Sequence, residues 1–383
     1  MARSKGKTPY IYIDSLPALN EALARLRDAP VLAVDTESDS LYAYFEKVCL
    51  IQFSVPGVDY LIDPLAVDAT NLGEFFAEAR YEKVFHAAEY DIICLKRDYG
   101  FTFVNLFDTM LAARVLGWKC YGLGPILQDR FEVHLNKRMQ RYNWGTRPLS
   151  EEALDYARLD THFLLPLREV QLAELQVQNR LIEARQAFQR QARAEPTPRV
   201  FNPDDFWRIR GARELLPFEQ AVLRQLYILR DRHARRLNRP PFKVISDATL
   251  IRLAQECPAE RRSLGRVKGL SHYMRQHAGD ELLEAIGTGL KAPYPVYPRN
   301  QRNHRDEATL ARYEALRSWR KKMAAARGVE LDVILSNSTL MALAKQYPRT
   351  AEAMAQVEAL DEWQRGMYGE ELLRVLNNRS APD

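Results

Sequence analysis

Over the first half of the chain the apolar residues fall in short runs separated by turn signals, and over the second half they recur at helical spacing. Ile11-Tyr12-Ile13 opens the first half, followed by a helical pattern from Leu16 to Leu26. Val31-Leu32-Ala33-Val34 is an apolar run that leads into Asp35-Thr36-Glu37-Ser38, which predicts a buried strand ending in two carboxylates. Val48–Val55 predicts a second strand, closed by Pro56-Gly57, and Asp59–Pro64 a third, so three consecutive strands open a mixed sheet as a meander. Leu72, Phe75, Phe76 and Ala79 mark an amphipathic helix over 71–80. Lys83–Ala88 is a further short strand, running into a helix from Tyr90 to Tyr99 that Gly100 stops. Phe107-Asp108-Thr109 begins another helix, with Asp108 as its N-cap and nothing more. Residues 121–149 read as loop, and Ser150-Glu151-Glu152 then starts a long helix with Ser150 as its cap. A charged helix from Arg180 is broken at Glu195-Pro196-Thr197-Pro198, the first domain boundary.

The second half overlays itself when shifted by 90 positions. Ile245-Ser246-Asp247 meets Leu335-Ser336-Asn337, Leu250 and Leu253 meet Leu340 and Leu343, Pro258 meets Pro348, and Glu281-Leu282-Leu283 meets Glu371-Leu372-Leu373. The matches are apolar positions, caps and breakers, the residues that set a packing plan, so two copies of one helical domain are expected. Lys291–Pro298, with alternating prolines, joins them as a stiff spacer. The expected organisation is an α/β domain over 1–195 and helical domains over 205–290 and 304–380.

The net charge of +5 is unevenly spread: −4 over residues 1–195, +8 over 196–300 and +1 over 301–383. The basic excess of the first helical copy sits in Arg224, Arg230, Arg232, Arg235, Arg236, Arg239 and Lys243, several of them crowded on one helix. Like charges so placed repel unless an anion relieves them, so Arg235 and Arg236 are candidate nucleic-acid contacts. The second copy, balanced by acids, is expected mainly to pack. The four cysteines are scattered without a C-x-x-C pair, which fits a reducing cytosol rather than a zinc or disulfide framework. The basic start of the chain is followed by no apolar core, so no secretory signal is read there, and no run is long enough to span a membrane.

Asp35 and Glu37, two apart on a strand, point to one side. Acids held together resist desolvation unless a cation lies between them, and an all-oxygen set suits Mg²⁺ or Mn²⁺; D-x-E alone equally fits a solvated strand end. Asp91 falls in the first turn of a helix at a strand exit, where α/β folds place ligands and where the helix dipole also favours an acid. Tyr156 and Asp160, four apart, share one helix face. Asp35, Glu37, Asp91 and Asp160 together match what two-metal phosphodiester cleavage needs. Arg130, Lys137, Arg138, Arg141 and Arg147, interleaved with Tyr121, Tyr142 and Trp144, fit either a single-strand binding loop or an ordinary surface loop.

These motifs resemble the DEDD 3′→5′ exonucleases of the subgroup with tyrosine in the last motif. Val34-Asp35-Thr36-Glu37 looks like the first motif, His86-Ala87-Ala88-Glu89-Tyr90-Asp91 the second, and Tyr156-Ala157-Arg158-Leu159-Asp160-Thr161 the third. Trp144-Gly145-Thr146-Arg147-Pro148-Leu149 resembles the W-x-x-R-P-L stretch of the ribonuclease D family, although Asn143 stands where relatives often have an acid. The helical repeats resemble HRDC modules, with Ala359 in the second where the first has Gly269.

The resemblance implies a multidomain chain: an α/β ribonuclease H-like exonuclease domain with a mixed central sheet and flanking helices, then two all-α HRDC bundles. It implies a 3′→5′ exoribonuclease that uses two divalent cations to trim tRNA precursors and other small stable RNAs from a free 3′ end, releasing nucleoside 5′-monophosphates. Asp35, Glu37, Asp91 and Asp160 would hold the metals, and Tyr156 would position the attacking water, while His86 reads as a strand-end structural residue. Trp144 and Arg147 join Arg235 and Arg236 as RNA-binding candidates. The expected setting is cytoplasmic, with no membrane and no obligatory protein partner. A DNA-directed exonuclease and a binding module with an inactive nuclease domain are the alternatives; no G-x-x-x-x-G-K-[ST] is present, so ATP is not expected.

Overall fold

The computed structural model describes residues 9–135, 137–198, 200–298 and 306–377; the expected domain limits at 1, 304 and 380 lie outside them. Its fold is a six-stranded mixed sheet with flanking helices, followed by the two helical copies.

Six strands, β1 (Tyr10–Ile13), β2 (Val31–Ser38), β3 (Val48–Val55), β4 (Val58–Ile62), β5 (Glu82–Phe85) and β6 (Leu106–Asp108), form one sheet in the order β1-β4-β3-β2-β5-β6. The pair β3–β4 is antiparallel, turned at Pro56-Gly57 with Gly57 at φ 89°, whereas β1–β4, β2–β5 and β5–β6 are parallel. Side-chain alternation on β3 and β4 feeds two cores. Ile51, Phe53, Tyr60 and Ile62 enter a large cluster with Leu19, Leu23 and Phe75, while Leu50 and Leu61 enter a smaller one with Ala153, Tyr156 and Ala157. That smaller cluster packs the helix Glu151–His162 onto the sheet, and Ser54 Oγ and Thr161 Oγ1 share a hydrogen bond of 2.7 Å beneath it. The helix expected over 71–80 is shorter, a single 3₁₀ turn at Thr70–Leu72 and a helix Gly73–Ala77. Within 121–149, expected as loop, Leu123–Phe131 is helical because Ile126 and Leu127 are buried, despite Gly122 before it and Gly124 and Pro125 in its first turn.

The repeat is visible residue by residue. Ser246 accepts the amide of Thr249 at 3.2 Å to start the helix Asp247–Glu256, and Ser336 accepts that of Thr339 at 3.0 Å to start Asn337–Gln346. Both helices end on a left-handed residue, Cys257 at φ 40° and Tyr347 at φ 47°. In each copy a buried arginine braces this element: Arg230 donates to Ile245 O and Asp247, Arg320 to Leu335 O and Asn337. The copies diverge at Gly269, whose φ of 94° and whose approach to Thr249 leave no room for a Cβ. In the second copy Thr339 Oγ1 instead donates to Ala359 O.

The chain divides into two compact units that do not follow sequence order. One comprises Met1–Glu37, Val48–Pro196 and Arg302–Asp383; the other comprises Ser38–Lys47 and Thr197–Gln301. In the first, the second helical copy is tied to the sheet domain by Arg327, which pairs with the buried Glu183, and by Arg114, which bonds Glu330 at 2.9 Å and Asp332 at 2.5 Å. In the second, the segment after β2 packs on the first copy. Tyr44 donates to Asp231 at 2.7 Å, the amides of Tyr44 and Phe45 donate to Asn238 Oδ1, and Lys243 Nζ lies 3.3 Å from the centre of the Tyr42 ring.

Candidate active site

β2 continues past its apolar run and carries Asp35, Thr36 and Glu37 within the strand itself. The pleat turns the two acids to one side, and Thr36 donates its hydroxyl to Asp91 Oδ1. Asp91 stands in the first turn of the helix Glu89–Tyr99, entered from β5 through Ala87 at φ 63°. Asp108 caps a different helix, Thr109–Leu116, its carboxylate accepting the amides of Met110 and Leu111. The same carboxylate accepts Ala87 N at 3.2 Å and Ala88 N at 2.8 Å, so the expectation of a cap and nothing more is corrected: Asp108 also fixes the exit from β5. Tyr156 and Asp160 lie one turn apart on the helix Glu151–His162, which Ser150 caps by accepting Ala153 N at 3.2 Å.

Oxygens of Asp35, Glu37 and Asp160 lie within 4.8 Å of one another. Asp91 is not one of this close triad, but its charge is felt by it. Burial, and then the charges of Asp91, Asp160 and Glu37, raise the Asp35 carboxyl well above its ordinary range; burial, Asp160 and Asp91 do the same to Glu37. Asp160 is pushed up to about 7 by burial and by Asp91, against a hydrogen bond from Tyr156. Asp91 is also pushed up to about 7 by burial, against the hydrogen bond from Thr36. Tyr156 is driven upward by burial and by the charges of Asp160, Glu37 and Asp35, so it stays a neutral phenol. Three converging carboxylates with uncompensated charge and only oxygen donors fit a hard divalent cation.

The triad opens into a cavity of about 670 Å³, walled by Gly122–Pro125 at the start of the helix Leu123–Phe131 and by Gln128 and His134. His86 lines it too. Gln128 and His134 escaped sequence reasoning: nothing in a Gly-Leu-Gly-Pro stretch announces a helix, and only the tertiary fold turns it toward the acids.

The RNA-binding candidates fare differently. Trp144 is 2% exposed, packed 6.3 Å from the Tyr156 ring, and so offers no face to a base. Arg147 has every nitrogen engaged: Nε and Nη2 on Asp63, Nη2 also on Cys49 O, and Nη1 on the carbonyls of Trp144 and Thr146. Both expectations are corrected, since a buried Asp63 needs the guanidinium more than a phosphate does. The Lys137 side chain lies outside the described residues. On the first helical copy Arg235 is exposed, beside the Tyr44 ring at 5.5 Å, and Arg236 is exposed, donating to His233 Nδ1 at 2.8 Å. Acids answer much of the charge on this helix: Arg224 pairs with Asp204, Arg232 with Glu281 at 3.0 Å, Arg236 with the same Glu281 at 3.9 Å and Arg235 with Asp231 at 4.0 Å, while Arg230 is buried, so part of the repulsion is relieved internally.

Residues 10–175 match the model of the 3′-5′ exonuclease domain, and residues 219–286 and 309–376 each match that of the HRDC domain. The chain is 30% identical over 368 residues to ribonuclease D of Jannaschia sp., covering 94% of this chain and 93% of that one. It is 31% identical over 322 residues to the exosome complex exonuclease RRP6 of Saccharomyces cerevisiae, covering 78% of this chain but only 42% of the yeast protein. Among solved structures, Escherichia coli RNase D shares the fold with a TM-score of 0.67 at 23% identity, over 97% of this chain and 100% of that one. With an exonuclease sheet ahead of paired HRDC copies and near full-length likeness to its bacterial relatives, the chain belongs to the ribonuclease D family of 3′-5′ exoribonucleases.

Proposed function

We propose that this exoribonuclease trims the 3′ ends of tRNA precursors and other small stable RNAs, releasing nucleoside 5′-monophosphates by two-metal-ion hydrolysis. The observation that carries the reading is the convergence of Asp35, Glu37 and Asp160 within 4.8 Å, with Asp91 close enough to raise their proton affinity. Mg²⁺ or Mn²⁺, when bound, supplies the Lewis acidity that makes water a nucleophile at neutral pH and offsets charge on the phosphodiester. Asp35, Glu37 and Asp160 would hold the cations, and Asp91, oriented by Thr36, would complete the set. Tyr156 keeps its proton and orients the attacking water through its hydroxyl; a phenol this reluctant to ionise does not act as the base. Domains 1–195, 205–290 and 304–380 divide the work, with catalysis in the first and RNA contacts at Arg235 and Arg236 in the second. The setting is the cytoplasm, without ATP or an obligatory protein partner. Among the described residues no helix is long and apolar enough to cross a membrane.

A 3′-extended tRNA precursor incubated with and without Mg²⁺ or Mn²⁺ tests this, beside the double variant Asp35→Ala, Asp160→Ala. Stepwise shortening with release of nucleoside 5′-monophosphates, lost on chelation and in the variant, is the expected result. Internal cleavage fragments, or equal trimming by the variant, overturn the reading.

A further inference from the structure

His86 follows directly on β5, where the sequence alone reads it as a structural residue. Thr109, fully buried behind it, donates its only hydroxyl proton to Phe85 O at 3.0 Å. With that one proton on Phe85 O, the 2.8 Å contact between Thr109 Oγ1 and His86 Nδ1 is donated by the imidazole. With Nδ1 carrying the proton, Nε2 of a neutral ring is an acceptor. Burial holds the ring below the ordinary imidazole range, against the opposing charge of Asp108, in keeping with neutrality. The ring lines the same cavity as Asp35, Glu37, Tyr156 and Asp160. Asp108 holds the amides of Ala87 and Ala88, so the backbone that aims His86 is itself fixed.

A neutral nitrogen acceptor cannot serve a phosphate, which offers only acceptors; it needs a donor on the ligand. Base donors change from one nucleotide to the next, and an exonuclease moving along a strand meets all of them. The constant donors are the sugar hydroxyls. The 3′-hydroxyl is common to RNA and DNA ends, whereas the 2′-hydroxyl separates them. We propose that His86 is a specificity-determining residue whose Nε2 accepts a hydrogen bond from the 2′-hydroxyl of the terminal nucleotide. This rests on the exonuclease reading above and adds how its site distinguishes ribose.

Single-turnover trimming of one RNA ending in ribose, 2′-deoxyribose or 3′-deoxyribose tests it in the full-length protein. His86→Asn keeps an amide able to donate to Thr109 but removes the Nε2 acceptor; His86→Gln restores an acceptor at that reach. The wild type is expected to prefer the ribose end over the 2′-deoxy end, and His86→Asn to lower that ratio roughly three- to tenfold, the size of one neutral hydrogen bond. His86→Gln is expected to recover part of the ratio. A ratio taken within one protein cancels any general loss of folded enzyme, and thermal melting of each variant measures that loss. An unchanged ratio in His86→Asn, or a change confined to the 3′-deoxy end, overturns the assignment of the 2′-hydroxyl. Failure of the underlying reading looks different: the wild type then shows no 3′-end trimming with any of the ends.

Discussion

Asp91 and Asp160 each keep a proton to about pH 7, because burial and neighbouring charge penalise the ionised form. Carboxyls with raised folded-state pKa values add stability below their unfolded values, and that stability is lost as pH rises through the folded values. In chelator the melting temperature is therefore expected to lose this contribution as pH climbs from about 4 to about 7 and to level off above, and saturating Mg²⁺ or Mn²⁺ to remove most of the loss near pH 7; a profile indifferent to metal would count against the cation site. By the same sign, protons compete with metal, so the half-saturating metal concentration in the trimming assay rises as pH drops below about 7. Asp160→Asn removes one of the crowded charges. It is expected to abolish trimming while raising the melting temperature of the metal-free protein at pH 8 by a few degrees, read by scanning calorimetry. Spacing made the Asp35–Glu37 pair and the shared face of Tyr156 and Asp160 legible, since positions two apart on a strand or four apart on a helix have fixed relative directions; the gathering of these with Asp91 from separate elements was carried by the resemblance of the three motifs. Trp144 and Arg147 were not legible in that way. Composition names an aromatic and a cation but does not say whether a buried carboxylate, here Asp63, claims the cation first.

At the scale of elements, the stretch from Trp144 to Leu149 acts as a wedge behind the Tyr156 helix, locked through Arg147 to Asp63 and so to Tyr12 on β1. Burial alone would raise the Asp63 carboxyl; hydrogen bonds from Arg147, Tyr12 and the Leu65 amide outweigh it and hold the carboxyl low. This contribution is present above the unfolded pKa of a carboxylate and is lost as pH falls through the folded one. Arg147→Ala leaves that acid buried without its cation and is expected to cost about 3–5 kcal/mol in a denaturant titration. Its salt dependence of RNA binding should match that of the wild type; a flatter slope would return Arg147 to the list of phosphate contacts. The first five strands and the caps of the repeated helices were readable because alternation, serine caps and breakers are local signals; β6 was not, since the three residues Leu106–Asp108 are too short to show alternation and Phe107-Asp108-Thr109 reads as a helix start. The helix Leu123–Phe131 was not, because its glycines and proline speak locally for loop while the burial of Ile126 and Leu127 is decided by distant neighbours.

For the whole molecule, charge is concentrated where the first helical copy lies, and Arg235 and Arg236 are exposed on the helix Pro217–Arg236 together with Arg232, which bonds Glu281. Reversing both charges is expected to weaken RNA binding and to flatten its dependence on salt by a slope of about 1–2, measured by titration at several salt concentrations. The repeat itself was evident from sequence, but the partnership of each copy was not. The second copy joins the sheet domain through Arg327 and Glu183, and the first joins ten residues, Ser38–Lys47, that run from the last residue of β2 to the start of β3. Long-range pairing of this kind leaves no periodic trace in the chain.

The border of that segment falls immediately after Glu37. Cutting the chain near Pro196 to isolate a nuclease would accordingly strip Tyr44 of Asp231 and Asn238 and leave a strap without its seat, hanging from the strand that bears two of the acids. Truncation here is not subtraction: a shortened enzyme that loses activity would report on the loosened strap as much as on the missing module.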